Sequence, residues 1–104
     1  MDRYVLDFEL NVFDAYAPDK RGTVRDITEK GLGVTGIDVS PGEFRTLVVA
    51  PDEFLEIQPF MLKAECRWCE ALELSGVCAA GFKIVHVSEE NRESLRKLIR
   101  LLTF

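Results

Sequence analysis

Apolar residues change their spacing once along this chain, near residue 88, and that single change limits what it can fold into. Tyr4, Leu6, Phe8, Leu10 and Val12 alternate with Val5, Asp7, Glu9, Asn11 and Phe13, the period of two expected of a half-buried strand whose successive side chains point to opposite faces. Short β-rich runs follow from Thr23 to Ile27, Leu32 to Ile37 and Phe44 to Ala50. A longer one runs from Phe54 to Leu74, interrupted by Pro59, and a last one from Val77 to Val87 after Gly76. Pro18-Asp19 predicts a turn, Ser40-Pro41-Gly42 a loop and Pro51-Asp52 a break, because proline and its polar neighbours interrupt regular pairing. After Val87 the spacing becomes helical. Ser88 suits an N-cap, Glu89 and Glu90 suit the first turn, and Leu95, Leu98, Ile99 and Leu102 recur at i, i+3, i+4 and i+7. Roughly six or seven strands followed by one helix predict an all-β antiparallel barrel or sandwich. The helix then either covers an open end or pairs with another chain.

Composition narrows the function classes. The 104 residues are 47% hydrophobic and 30% charged, with no repeat, low-complexity stretch or linker, so residues 1–104 read as one globular domain with a core large enough to need no metal or disulfide. A formal charge of -5 argues against DNA or RNA as a partner, since phosphate backbones are bound by many clustered cations. Any anionic ligand must be met by a few local arginines. No apolar run approaches the roughly 20 residues needed to cross a bilayer, and the N-terminus carries acids where a secretion signal needs basic and then apolar residues; the chain reads as cytoplasmic, without membrane insertion. Arg92, Arg96, Lys97 and Arg100 form the polar face of the helix, a solvated face with favourable charge near the helix end.

One segment suggests a ligand. Asp26-Ile27-Thr28-Glu29-Lys30-Gly31 places an acid, a hydroxyl and a glycine at D-x-T-x-x-G spacing on the turn after a strand. A carboxylate there can accept two short, directional hydrogen bonds from a planar donor edge such as that of guanine. Thr28 adds a hydroxyl, and Gly31 permits positive φ or close backbone approach. The same residue types also make ordinary turns by bonding their own backbone. Cys66-x-x-Cys69 with Cys78 and His86 has the ligand number for zinc, but residues three apart on a regular strand face opposite sides. The cysteines therefore read as small core residues, and their odd number argues against a disulfide framework. One histidine, no nucleophile elbow and no phosphate-cradling glycine loop argue against an enzyme. Trp68 reads as core or rim packing; exposed, it would mark a partner site.

The order of these motifs resembles the PilZ domain family over nearly the whole chain. Val24 to Val34 is similar to that family's D/N-x-S-x-x-G element entering its next strand, Cys66-Arg67-Trp68 to its valine-tryptophan strand, and Gly81 to Arg92 to its closing strand and helix. The resemblance implies a six-stranded antiparallel β-barrel with a C-terminal helix, and cyclic di-GMP as ligand. It implies that Asp26 and Thr28 address a guanine, that Gly31 shapes the turn, and that Arg3 contacts guanine or phosphate. Arg3 is similar to the second arginine of the family's R-x-x-x-R motif; the first would precede Met1. Arg21-x-x-x-Arg25 matches that motif in letters but lies in the strand running into Asp26, where it reads as a coincidence of spacing. Two function classes follow. One is a non-enzymatic bacterial signalling module without a cofactor that binds cyclic di-GMP weakly or together with an upstream segment absent from this sequence; the other is an adaptor of type IV pilus or motility kind that acts through a protein partner without the ligand. Leu101, Leu102 and Phe104 extend the apolar surface of the helix and leave room for a homodimer.

Overall fold

The computed structural model describes residues 10–71 and 77–102. Six strands, β1 (Asn11–Asp14), β2 (Ala17–Ile27), β3 (Gly31–Thr35), β4 (Phe44–Ala50), β5 (Phe60–Ala71) and β6 (Cys78–His86), precede one helix, α1 (Glu89–Leu102). They close into a barrel in the order β1-β2-β3-β6-β5-β4, and every neighbouring pair is antiparallel. Closure removes the unpaired strand edges that an open sheet would leave. The alternation seen in the sequence sets the inner face: Leu10 and Val12 are fully buried, while Asn11 is exposed. The earlier part of that alternation, Tyr4 to Phe8, lies outside the described residues.

Two turns differ from expectation. Pro18-Asp19 lies within β2, and the turn is made by Ala15 and Tyr16. The register jumps from Phe13 opposite Arg21 to Asp14 opposite Ala17, so Pro18, Asp19 and Lys20 have no place in the β1 ladder. Proline, which has no N–H to donate, is tolerated in a strand at such an irregularity. The run from Phe54 is also shorter than expected. Glu53–Leu55 is a single 3-10 turn, capped by Asp52, whose carboxylate accepts from the Phe54 amide at 3.0 Å, and β5 begins only at Phe60, after Pro59. Phe54 is 93% exposed.

The helix forms as its spacing predicts and covers the barrel core. Ser88 Oγ accepts from the Asn91 amide at 3.3 Å, and the Ser88 carbonyl accepts from Arg92 N at 2.7 Å, closing the first turn. Leu95 and Leu98 belong to one continuous core with Leu10, Val12, Phe60 and Leu62 from the strands, and Ile99 and Leu102 pack against it. Burying each leucine contributes roughly 1.5–3 kcal/mol. Asn91 ties the helix to β5 by accepting from the Met61 amide at 3.0 Å. At the other end of the chain Asp14, only 5% exposed, accepts from the Tyr16 amide at 2.8 Å and pairs with Arg45 at 3.4 Å. This buried acid locks the β1–β2 turn to β4.

Candidate functional site

Two strand irregularities build the outer groove. In β2 the ladder to β3 passes from Val24 opposite Val34 to Asp26 opposite Gly33, leaving Arg25 without a partner. A bulge of this kind sends two successive residues to one face. Val24 and Ile27 stay buried while Arg25 and Asp26 are both exposed. In β5 the ladder to β6 passes from Cys66 opposite Phe82 to Trp68 opposite Gly81, leaving Arg67 over. Arg67 and Trp68 both face out. Cys66 and Cys69 consequently both face the core, which corrects the expectation that residues three apart must lie on opposite sides. Burial pushes the Cys66 thiol above its ordinary value of 9.0, so it stays a neutral, apolar group at physiological pH.

Between the two bulged strands lie β3 and β6, and they present glycine to glycine. Gly33 is directly opposite Gly81, so Asp26, Gly33, Gly81 and Trp68 form one row across four strands. The missing side chains let the outer members lean inward. A Cβ on Gly33 would stand 3.1 Å from both carboxylate oxygens of Asp26, and a Cβ on Gly81 would collide with the pyrrole atoms of the Trp68 indole. Carboxylate and indole thus rest over adjacent glycines, about 5 Å apart by the spacing of neighbouring strands. Trp68 keeps 45% of its surface exposed, a rim position rather than core packing. Among the described residues Asp26 has no hydrogen-bond or ion-pair partner. Both groups remain open to a ligand.

Around this row is an open groove of about 300 Å³, lined by Arg25, Asp26, Thr28, Arg67, Trp68 and Lys83 together with the glycines and neighbouring β3 and β6 backbone. Three cations against one carboxylate make it locally positive in a chain of charge -5. At its end the β2–β3 turn is held by Thr28, whose Oγ1 accepts from the amides of Lys30 at 3.1 Å and Gly31 at 3.2 Å. The threonine oxygen therefore serves the turn itself. Its proton points toward the Gly31 carbonyl at a long 3.4 Å, too far for a strong hydrogen bond. Gly31 is needed for close approach rather than for positive φ, since a Cβ there would lie 2.5 Å from the Phe82 carbonyl oxygen, while the glycines with positive φ are Gly36 and Gly42. Arg96 of α1 reaches the same turn and pairs with Glu29 at 3.1 Å.

The model of the PilZ domain matches residues 6–101. The chain belongs to the PilZ domain family. Solved PilZ-type structures share the architecture. The inhibitor of motility MotI/DgrA of Bacillus subtilis superposes with a TM-score of 0.67 at 18% identity, covering 98% of this chain and 53% of that one. The PilZ domain of YcgR from Escherichia coli, solved with c-di-GMP, superposes with a TM-score of 0.65 at 13% identity, covering 92% and 82%. At these identities the likeness is one of fold, and this PilZ domain spans about half the length of the Bacillus subtilis protein. No curated protein matches the sequence.

Of the residues singled out from the sequence of this PilZ domain, Asp26, Thr28 and Gly31 come together at the groove, while Arg3 lies outside the described residues. The groove also holds Arg25, which the sequence offers only as a coincidence of spacing with Arg21, and Arg67, Lys83, Gly33 and Gly81, to which the sequence alone assigns no ligand role. Two outward polar residues in succession between inward apolar ones, Val24-Arg25-Asp26-Ile27 and Cys66-Arg67-Trp68-Cys69, were the signal available for both bulges.

Proposed function

We propose that this PilZ domain is a non-enzymatic signalling module that binds cyclic di-GMP in the groove between β2 and β5. The observation that carries the reading is the unpaired Asp26 carboxylate set beside the half-exposed Trp68 indole over the Gly33–Gly81 pair. Guanine offers two adjacent donors on its base-pairing edge, and an open carboxylate can accept both. The indole face supplies a stacking surface for the base, an interaction worth about 1–3 kcal/mol per base. Thr28 and Gly31 hold the turn that aims Asp26, and Arg3 joins from the N-terminal segment to contact guanine or phosphate. Binding changes the partner surface by drawing that segment onto the barrel.

Titration with cyclic di-GMP, followed by calorimetry and by fluorescence of the only tryptophan, tests this directly. Heat release with quenching of Trp68 is expected, and Asp26→Ala should weaken binding about tenfold or more, as loss of a charged hydrogen bond does. A chain that gives neither signal at millimolar-scale ligand rejects the receptor reading. A second reading, an adaptor acting through protein contacts alone, is favoured by Tyr16 and Phe54, which expose 86% and 93% of their surface and have the character of interface anchors.

A further inference from the structure

The two bulges do more than aim Asp26 and Trp68, because the residue left over in each is an arginine. Arg25 and Arg67 both line the groove, and neither has a place in its β-ladder. Their positions are related. β2 and β5 stand three antiparallel steps apart in the barrel order, so they run in opposite directions. Arg25 precedes Asp26 and Arg67 precedes Trp68, which puts the two guanidinium groups on opposite lips and at opposite ends of the row. An approximate two-fold axis passes between Gly33 and Gly81.

We infer that Arg25 and Arg67 form a split anion clamp, each taking one of the two phosphodiesters of a two-fold-symmetric cyclic dinucleotide. This rests on the receptor reading above and names how the ligand's charge is met. Asp26 ends the row on β2 and Trp68 ends it on β5, so an arginine flanks each group that is to meet a base, and the two arginines lie on opposite sides of the row. The balance also fits, since Arg25, Arg67 and Lys83 against Asp26 leave two positive charges for a dianion. Arg25 has no ion-pair partner among the described residues. Arg67 faces Glu65 at 3.8 Å and is 56% exposed, a contact too long for a hydrogen bond and readily exchanged for phosphate. Guanidinium suits the role because its planar donors engage two phosphate oxygens at once.

Calorimetry of the wild type, Arg25→Ala, Arg67→Ala and the double variant with cyclic di-GMP decides the matter, with circular dichroism confirming that these exposed substitutions leave the barrel folded. Each single variant should lose about tenfold or more in affinity, and the losses should multiply in the double variant, because separate phosphates give independent sites. Arg25→Lys and Arg67→Lys should restore part of each loss. GMP, which carries one phosphate, should be affected by at most one of the two substitutions. Wild-type affinity in either alanine variant overturns the clamp while leaving the receptor reading standing. No binding by the wild type removes both.

Discussion

At the scale of single residues, Gly81 decides where the indole sits. A side chain at 81 cannot coexist with the pyrrole ring of Trp68, so Gly81→Ala should swing the indole outward. Gly81 is buried but the ring it would meet belongs to the half-exposed Trp68, which can move outward, so stability should fall by about 1 kcal/mol, the low end of what overpacking costs. Cyclic di-GMP affinity should fall about tenfold as stacking is lost. A fluorescence emission shift measured beside a calorimetric titration checks both, and an unchanged spectrum would mean that the glycine does not hold the ring. The turn beside Asp26 was legible in the sequence, because a threonine and a glycine at that spacing make a turn by bonding their own backbone. Gly81 was not, because its role is defined by Trp68 on another strand, and sequence does not say which residues lie opposite each other.

At the scale of elements, the helix shows which contacts carry stability. Leu98 is fully buried in the shared core, whereas the Arg96–Glu29 pair that joins α1 to the β2–β3 turn is exposed on both sides. Leu98→Ala should cost about 2–5 kcal/mol and Arg96→Ala no more than about 1 kcal/mol, measured as the shift in urea midpoint. Equal effects would mean that the helix is held by its charges. The apolar spacing of α1 made the element and its inward face readable in advance, and the Ser88 cap placed its start. Strand boundaries were harder. Pro18 predicts a turn from local chemistry, yet it is accommodated in β2 because the register jump removes its ladder partner. Each such irregularity depends on a neighbouring strand, so local pattern gave the strands but not their bulges.

At the scale of the whole molecule, barrel closure depends on β1 meeting β4, a pairing distant in sequence that periodicity cannot choose over a sandwich. The loop before β4 adds a pH dependence to that closure. The Ser40 amide, donating at 2.6 Å, and then the Arg45 guanidinium, at 2.9 Å, hold the Glu43 carboxyl below its ordinary value of 4.5. A carboxyl lowered in the folded state stabilises the fold above its unfolded value, and that contribution disappears as pH falls through the lowered folded value. Urea midpoints should therefore drop as the medium is acidified below 4.5, and Glu43→Gln should flatten part of that drop; an identical acid profile in the variant would exclude this carboxyl. The bulges also separate the barrel's core pattern from its surface chemistry. With Arg25 taken out of the chain, Val24, Asp26 and Ile27 fall into regular in-out-in alternation, and Cys66, Trp68 and Cys69 do the same without Arg67. Both groove arginines are thus single-residue insertions that the core never has to notice, and a lineage could acquire or discard either cation by a one-codon length change while the barrel register stays intact.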